Sequence, residues 1–207
     1  MDLFSFQEEK QIEEKAPLAW RMRPQTLVEF VGQEKIVGLN KPLRKMIEMG
    51  RTPSLIFYGP PGTGKTTLAR VIANTTKAYF TQLSAVTAGV ADLRKVVEDS
   101  KERRGMYRQP TIIFIDEIHR FNKAQQDALL PHVEDGTVSL IGATTENPYY
   151  SVNNALLSRS QVYPLEPLEE KDILLILSKA LTDSEKGLGQ EKLVVEDGAL
   201  EYLAQIS

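Results

Sequence analysis

The chain has 207 residues, of which 42% are hydrophobic, so it can bury the core of one or two domains. It contains no cysteine, which excludes disulfides and thiolate metal sites, and its formal net charge of −3 gives no overall attraction to phosphates. Its first residues lack the basic start and apolar core of a secretion signal, and no apolar stretch has the length of a bilayer span, so we expect a cytoplasmic protein with no membrane partner.

The first predicted strand, at 54–58, runs directly into a glycine-rich loop. The loop reads Gly59-Pro60-Pro61-Gly62-Thr63-Gly64-Lys65-Thr66, and a helix is predicted at 65–75. The glycines allow successive backbone N–H groups to turn inward around an anion, and the helix directs its positive end to the same point. The pattern therefore predicts a triphosphate site, in which Lys65 reaches the β- and γ-phosphates and the Thr66 hydroxyl joins the Mg²⁺ shell.

Further along the chain, a strand is predicted at 78–83, a helix at 90–104 and another strand at 111–116. This third strand is a continuous apolar run that ends in Asp116 and Glu117, which is typical of a buried parallel strand whose carboxyl end meets an active site. Asp116 is expected to hold Mg²⁺ through its water shell, and Glu117 to polarise the water that attacks the γ-phosphate. The second acid predicts hydrolysis in addition to binding.

The remaining predicted elements are a helix at 123–133 and strands at 138–143 and 161–163. Alternating strand-like and helix-like segments predict a parallel sheet covered by helices on both faces. Pro167 marks a boundary after this sheet, because proline disfavours helical geometry just before it. Residues 169–181 then place apolar side chains on one face, as an amphipathic helix does.

Four further segments carry a resemblance to a known family. They are Pro-Leu-Ala-Trp-Arg-Met-Arg-Pro at 17–24, Phe-Val-Gly-Gln at 30–33, the run at 121–131 and Gly-Ala-Thr-Thr-Glu-Asn-Pro at 142–148. Together with the phosphate loop and the Asp-Glu-Ile-His-Arg segment, they resemble the RarA (MgsA) family of bacterial replication-associated recombination proteins, which are AAA+ ATPases. The resemblance implies a P-loop AAA+ α/β fold, a parallel sheet flanked by helices and followed by the start of a small helical lid domain.

The resemblance also gives roles to residues outside the two motifs. Val31, Gly32 and Gln33 match the family's adenine-side element, where backbone atoms cap the base. Thr145, with its neighbour Thr144 as the weaker alternative, matches the polar residue at a strand tip that helps to hold the attacking water.

Arg159 matches the arginine finger that one subunit of the family presents to the γ-phosphate of its neighbour. A cation placed at that developing charge raises turnover by about 10³- to 10⁵-fold. Without the resemblance, Arg159 would be interpreted as a surface arginine at a helix end.

The predicted site therefore has three groups of residues. Those that bind the nucleotide are Val31, Gly32, Gln33, Gly59, Pro60, Pro61, Gly62, Thr63, Gly64, Lys65, Thr66 and Thr67. Those with catalytic roles are Lys65, Glu117, Thr145 and Arg159, and those that hold Mg²⁺ are Thr66 and Asp116. His119 is predicted to pack or to hydrogen-bond beside the acids, because no second histidine or cysteine stands at metal spacing.

These features predict an ATP hydrolase that uses ATP and Mg²⁺. The resemblance implies a DNA-dependent ATPase in replication-fork maintenance, recombination and repair, which remodels DNA ends or forks near the nucleoid. Its implied partners are single-stranded DNA ends, forks, a single-strand-binding protein or sliding clamp, and further copies of itself. The alternative is a clamp-loader-like or Holliday-junction-motor-like subunit whose ATP state gates partner binding. A small-molecule kinase is disfavoured, because it needs an acceptor pocket and no finger in trans.

Three regions are predicted along the chain: a flexible N-terminal arm at 1–16, the AAA+ nucleotide-binding domain at 17–166 and a partial helical lid at 167–207. The arm carries Leu3, Phe4 and Phe6, which either dock on a replication partner or fold back on the domain.

The apolar helical spacing at the end of the chain continues to Ser207 with no stop signal. We therefore expect a truncated, N-terminal fragment of a longer protein. Its hydrolysis is expected to be weak, and its nucleotide binding to persist.

DNA contacts would have to come from a local basic patch, since the net charge is negative. The densest basic cluster consists of Lys101, Arg103, Arg104 and Arg108. It forms either a solvated face or a contact with the DNA backbone, and the sequence leaves both interpretations open.

Overall fold

The computed structural model describes residues 16–191 and 193–207. They divide into two compact units, Gln25–Pro167 and a second unit that joins the described residues up to Pro24 with Leu168–Ser207. The predicted flexible arm at 1–16 lies, apart from Ala16, outside the described residues. Within the described ranges, no helix combines the length and the apolar character that a membrane crossing needs.

The larger unit is built on a five-stranded parallel sheet with the strand order β2-β3-β4-β1-β5. The strands are β1 (Leu55–Tyr58), β2 (Tyr79–Ser84), β3 (Thr111–Asp116), β4 (Ser139–Thr144) and β5 (Gln161–Pro164). Parallel neighbours cannot be joined by tight turns, and the helices between the strands supply the crossover connections. The predicted α/β fold with a parallel sheet is confirmed.

The helices include both predicted and unpredicted elements. In chain order they are α1 (Leu18–Arg21), α2 (Glu34–Val37), α3 (Pro42–Glu48), α4 (Lys65–Thr76), α5 (Val90–Tyr107), α6 (Lys123–Glu134), α7 (Pro148–Ser151), α8 (Asn154–Leu157), α9 (Glu170–Thr182) and α10 (Ala199–Ile206), with a 3₁₀ turn at Ile118–Arg120. The long helices follow the predicted ones closely. Helices of four to seven residues were not predicted, because so short a segment shows little periodicity.

Side chains of the central strands alternate between two buried cores, one on each face of the sheet. In β1, Leu55 and Phe57 belong to one core, and Ile56 belongs to the other. Strand β3 divides in the same way, with Ile112 and Phe114 on the first face and Ile113 and Ile115 on the second. Burial on both faces explains why these strands are continuous apolar runs in the sequence.

All five strands run in the same direction, so their carboxyl ends share one edge of the sheet. The strands end there at Tyr58, Ser84, Asp116, Thr144 and Pro164. In open parallel sheets ligands bind outside this carboxyl edge, so the functional site is expected there.

The smaller unit contains α9 and α10, which pack on each other. Helix α9 begins with a capping box, in which the backbone N–H of Glu169 donates to the carboxylate of Asp172 at 3.2 Å. Gln205 of α10 donates to the Glu170 carboxylate at 3.3 Å. The predicted amphipathic helix at 169–181 corresponds to α9.

Candidate active site

The loop after β1 has the backbone of an anion-binding loop. Gly62 and Gly64 have φ values of 80° and 89°, which glycine adopts without steric cost. Helix α4 begins directly at Lys65, so its first backbone N–H groups and its positive end face the loop. Thr63 is buried and donates its hydroxyl to the carbonyl of Pro60 at 3.0 Å, which braces the loop internally.

The Lys65 side chain lies folded against the loop. Its ammonium donates to the carbonyl oxygens of Gly59 and Pro60, each at 2.7 Å, and the residue is only 9% exposed. Burial lowers the pKa of the Lys65 ammonium, and the carboxylates of Glu117 and Asp116 raise it in part. A phosphate group at the loop would therefore meet a desolvated cation, which interacts more strongly than an exposed one.

The start of the loop is closely packed against the chain that leaves β5. Gly59 donates its N–H to the carbonyl of Thr144 at 3.1 Å, and a Cβ atom added at Gly59 would lie 2.2 Å from the carbonyl oxygen of Leu165. A backbone atom cannot move aside as the end of a side chain can. Only glycine fits at this point of the loop.

We expect Gly59→Ala to destabilise the protein by about 1–3 kcal/mol, because the added methyl group overpacks a rigid contact. The measurement is the midpoint of thermal unfolding, which falls by about 2–4 °C per kcal/mol for a domain of this size. Gly136→Ala is the matched control, since Gly136 also has a positive φ, 69°, but nothing within 4 Å of an added Cβ. Equal midpoints for the two variants would contradict the packing argument.

The predicted adenine-side element, Val31, Gly32 and Gln33, lies beside the phosphate loop. Gly32 is buried, Val31 is half-buried, and both Gly32 and Gln33 have positive φ, 82° and 57°. The side chain of Gln33 donates to the carbonyl of Thr63 at 3.2 Å and to the carbonyl of Glu166 at 2.7 Å, and it accepts the N–H of Glu166 at 3.1 Å. Gln33 therefore ties the phosphate loop to the segment that follows β5, a side-chain role that the sequence did not predict.

We expect Gln33→Ala to cost about 1–2 kcal/mol of unfolding free energy and to weaken nucleotide binding, because three hydrogen bonds that hold the loop are lost. Thermal unfolding and nucleotide titration measure the two effects. Gln109→Ala removes one described hydrogen bond, from the amide to the carbonyl of Lys77 at 3.2 Å, and serves as the control. A Gln33 variant that matches this control in both assays would contradict the role of Gln33 in holding the phosphate loop.

The acidic residues lie at the end of β3, on the same edge of the sheet as the loop. Asp116 is the last residue of β3, and Glu117 follows it with a φ of 52°, in the left-handed region. The Glu117 side chain is 34% exposed, and the hydroxyl of Thr145 lies 3.4 Å from its Oε2. The structure thus brings Lys65, Asp116, Glu117 and Thr145 to one edge of the sheet.

His119 and Thr144 form a second layer behind Glu117. The Nδ1 atom of His119 lies 2.9 Å from the Thr144 hydroxyl and 3.1 Å from Glu117 Oε2. Thr144 is fully buried, whereas Thr145 is exposed. Of the two threonines that the sequence left as alternatives, Thr145 is the one whose hydroxyl lies at Glu117.

The oxygen donors at this edge fit Mg²⁺ bound together with a nucleotide. Thr66 is the second residue of α4, and Asp116 ends β3, so one hydroxyl and one carboxylate are available. Among the described residues no group of three or more His, Cys, Asp or Glu side chains could hold a metal. Mg²⁺ typically takes one or two carboxylates plus phosphate oxygens and water, which matches this sparse donor set.

Arg159 lies at the amino-terminal ends of the strands, whereas the phosphate loop lies at their carboxyl ends. It precedes β5, whose first residue, Gln161, pairs with Leu55, the first residue of β1, whereas the phosphate loop follows the last residue of β1. A strand of this length spans about 10 Å. The Arg159 guanidinium pairs with Glu134 at 2.5 Å and donates to the carbonyl of Ala155 at 2.9 Å. The structure therefore does not bring Arg159 to the phosphate loop of its own chain.

Three members of the basic cluster at 101–108 make contacts within the chain. The Arg103 guanidinium stacks 3.7 Å from the ring centroid of Tyr79, and Arg104 donates to the carbonyl of Gly136 at 2.8 Å. Lys101 pairs with Glu98 at 2.9 Å. These contacts favour the interpretation of the cluster as part of a solvated structural face.

The chain is similar to known proteins in sequence. The model of the ATPase family associated with various cellular activities (AAA) matches residues 55–165. The chain is 53% identical over 191 residues to Replication-associated recombination protein A of Coxiella burnetii, and 51% identical over 189 residues to the protein of the same name from Haemophilus influenzae. These alignments cover 92% and 91% of the chain, but only 43% and 42% of the two relatives.

Among solved structures, the chain is similar to the Thermotoga maritima RuvB Holliday junction branch migration motor. The TM-score is 0.70 and the sequence identity 30%, over 89% of this chain and 59% of that structure. The chain thus spans less than two thirds of each of these similar proteins.

Proposed function

Because this chain belongs to the ATPase family associated with various cellular activities (AAA), we propose that it is a DNA-dependent ATPase that acts in replication-fork maintenance, recombination and repair. The resemblance that the motifs predicted is confirmed by the family match and by relatives named Replication-associated recombination protein A. The DNA dependence, the substrates and the partners are proposed, because they go beyond membership of the family.

The observation that carries the proposal is the meeting of a phosphate loop and two acids at one edge of the sheet. Hydrogen bonds to the carbonyls of Gly59 and Pro60 hold the Lys65 ammonium at the loop, where it would bind the β- and γ-phosphates. Thr66 and Asp116 would hold Mg²⁺, which would supply positive charge to the phosphate oxygens. Glu117 and the exposed hydroxyl of Thr145 orient the attacking water.

Arg159 supports an assembly of several copies. Since it lies at the sheet edge opposite its own phosphate loop, it completes the site of a neighbouring chain. An arginine at the γ-phosphate stabilises the charge that develops in the transition state. The proposed unit of hydrolysis is therefore the interface between two copies.

DNA ends and forks are the proposed substrates, because the relatives' names connect them to replication and recombination. A single-strand-binding protein and a sliding clamp are the proposed protein partners, and the cytoplasm, close to the nucleoid, is the proposed location. The DNA-binding surface is proposed to lie outside Arg103 and Arg104, whose guanidinium groups contact their own chain.

A second candidate function is that of a motor or loader subunit whose ATP state controls its grip on a partner. The likeness to the RuvB branch migration motor, at a TM-score of 0.70, favours this alternative. Both functions use the same phosphate loop and acids. They differ in what accelerates turnover.

The test is ATP turnover per chain, measured on the full chain over a range of protein concentrations. It is run without DNA, with forked DNA or duplexes that carry single-stranded ends, with a four-way junction and with a sliding clamp. Turnover that rises with concentration and with DNA ends supports the proposal. Stimulation by the junction or the clamp alone selects the second candidate, and turnover that ignores every DNA would overturn DNA dependence.

A further inference from the structure

His119 contacts both the proposed catalytic acid and the end of a neighbouring strand. Its Nδ1 atom lies 3.1 Å from Glu117 Oε2 and 2.9 Å from the hydroxyl of Thr144. The side chain is only 13% exposed, so these contacts are sheltered from competing water. The other ring nitrogen, Nε2, is 3.8 Å from Glu146 Oε1, which is too long for a hydrogen bond.

The hydrogen-bonding chemistry determines which ring nitrogen carries a proton. An ionised carboxylate can only accept hydrogen bonds, so a favourable contact with Glu117 requires an N–H at Nδ1. The Thr144 hydroxyl already accepts the backbone N–H of Glu146 at 3.0 Å, and its second lone pair can share the Nδ1 proton. The surroundings therefore select the tautomer that donates toward Glu117.

Glu117 needs such support. Its backbone has a φ of 52° and a ψ of 51°, a left-handed conformation that residues other than glycine keep only where their surroundings hold them. Both described contacts of the carboxylate, with His119 and with Thr145, are made by Oε2. They fix one oxygen, and with it the direction in which Oε1 points.

The same contacts connect the acid to the phosphate loop. The backbone carbonyl of Thr144 accepts the N–H of Gly59, the first residue of the loop, at 3.1 Å. The Thr144 side chain contacts His119, which contacts Glu117. A continuous series of close polar contacts thus runs from the start of the loop to the carboxylate.

We propose that His119 is a positioning residue for ATP hydrolysis. It orients the Glu117 carboxylate through Nδ1–H, and through Thr144 it fixes the position of that carboxylate relative to the phosphate loop. This proposal rests on the proposed catalytic role of Glu117. A displacement of about 1 Å of a reacting group can cost about 10²-fold in rate, so the loss of His119 is expected to lower kcat on that scale. Nucleotide binding is expected to persist, because His119 does not contact the loop itself.

The decisive comparison is between His119→Asn and His119→Gln in the full chain. The two side chains carry the same neutral amide, but the amide nitrogen of Asn can occupy the position of Nδ1, whereas that of Gln extends toward the position of Nε2. We expect His119→Asn to keep most of the wild-type kcat, and His119→Gln to lose it as His119→Ala does. The KM for ATP is expected to stay the same in all three variants.

Two further variants separate the possible outcomes. Glu146→Gln changes the group nearest Nε2 and is expected to leave turnover unchanged. In a Glu117→Gln background, His119→Ala is expected to cause no further loss, because His119 acts through Glu117. Equal kcat for the Asn and Gln variants, or an additional loss in the double variant, would overturn the positioning role. Normal turnover of Glu117→Gln alone would instead refute the catalytic role of Glu117 within the proposed function.

Discussion

Glu117→Gln is expected to lower ATP turnover by about 10²- to 10⁴-fold while the nucleotide stays bound. The carboxylate lies at the sheet edge that also holds Lys65 and Asp116, and it is held by His119 and Thr145 through one oxygen. The amide of Gln has almost the same shape but cannot take a proton from water. The effect should therefore appear in kcat and not in the dissociation constant.

Steady-state turnover and nucleotide titration on the same preparation measure these two quantities. Glu146→Gln is the matched control, because Glu146 is a neighbouring carboxylate at the same edge that is exposed to solvent. If Glu117→Gln turned over ATP at the wild-type rate, another group would have to activate the water. A parallel loss of nucleotide affinity would indicate a disturbed loop instead of a missing base.

Arg159→Ala is expected to lower turnover by about 10³- to 10⁵-fold, because the variant removes the cation offered to a neighbour's γ-phosphate. The exposed pair with Glu134 is no obstacle to this role. Both side chains are about 40% exposed, 40% for Arg159 and 42% for Glu134, and a surface ion pair contributes only about 0–1 kcal/mol. Arg159 can therefore leave Glu134 at little cost, and its removal should barely change thermal stability.

Mixing two inactive variants tests whether Arg159 acts between chains. Arg159→Ala keeps an intact phosphate loop, and Lys65→Ala keeps an intact finger, so a mixture should recover part of the turnover that each lacks alone. Arg94→Ala, at an exposed position of α5, is the control for loss of a surface arginine. Full activity of Arg159→Ala, or no recovery in the mixture at any concentration, would remove the assigned role.

The buried strands were predicted well because their environment leaves a clear mark in the sequence. Strand β3 is buried at five successive positions, four of them apolar, and is packed on both faces of the sheet, and its predicted ends match the observed ones. Helices α4 and α6 also begin at the predicted residues, Lys65 and Lys123. Asn122 caps α6 in a capping box with Gln125, a local signal that the sequence contains in full.

The short helices around the site show no comparable periodic signal in the sequence. Helices α7 and α8 have four residues each, and each is capped by an asparagine, Asn147 and Asn153. Their start signals are present, but four residues cannot show a helical period. What holds them is tertiary contact, as where the N–H of Asn153 donates to the side chain of Gln126 at 2.7 Å.

The side-chain role of Gln33 was not predicted. For His119, the position beside the acids was predicted, but its contact with Thr144 was not. Gln33 contacts Glu166, which is 133 positions away, and His119 contacts Thr144, which is 25 positions away. His119 and Thr144 meet because β3 and β4 are neighbours in the sheet, and Glu166 reaches the phosphate loop because β5 pairs with β1. The signal in the sequence was limited to the polar residue types beside the two motifs.

The sequence by itself determined which residues the proposed chemistry uses: a glycine loop with Lys65 and Thr66, and Asp116 with Glu117 at the end of a buried strand. These features are local, since glycine freedom, apolar runs and a following helix act within a few residues of one another. Only the tertiary structure decided that Thr145 lies at Glu117 and that Thr144 lies behind it. It also decided that Arg159 lies at the amino-terminal ends of the strands, away from the phosphate loop. The direction and pairing of the strands, and not the residue types, determine which strand ends lie together.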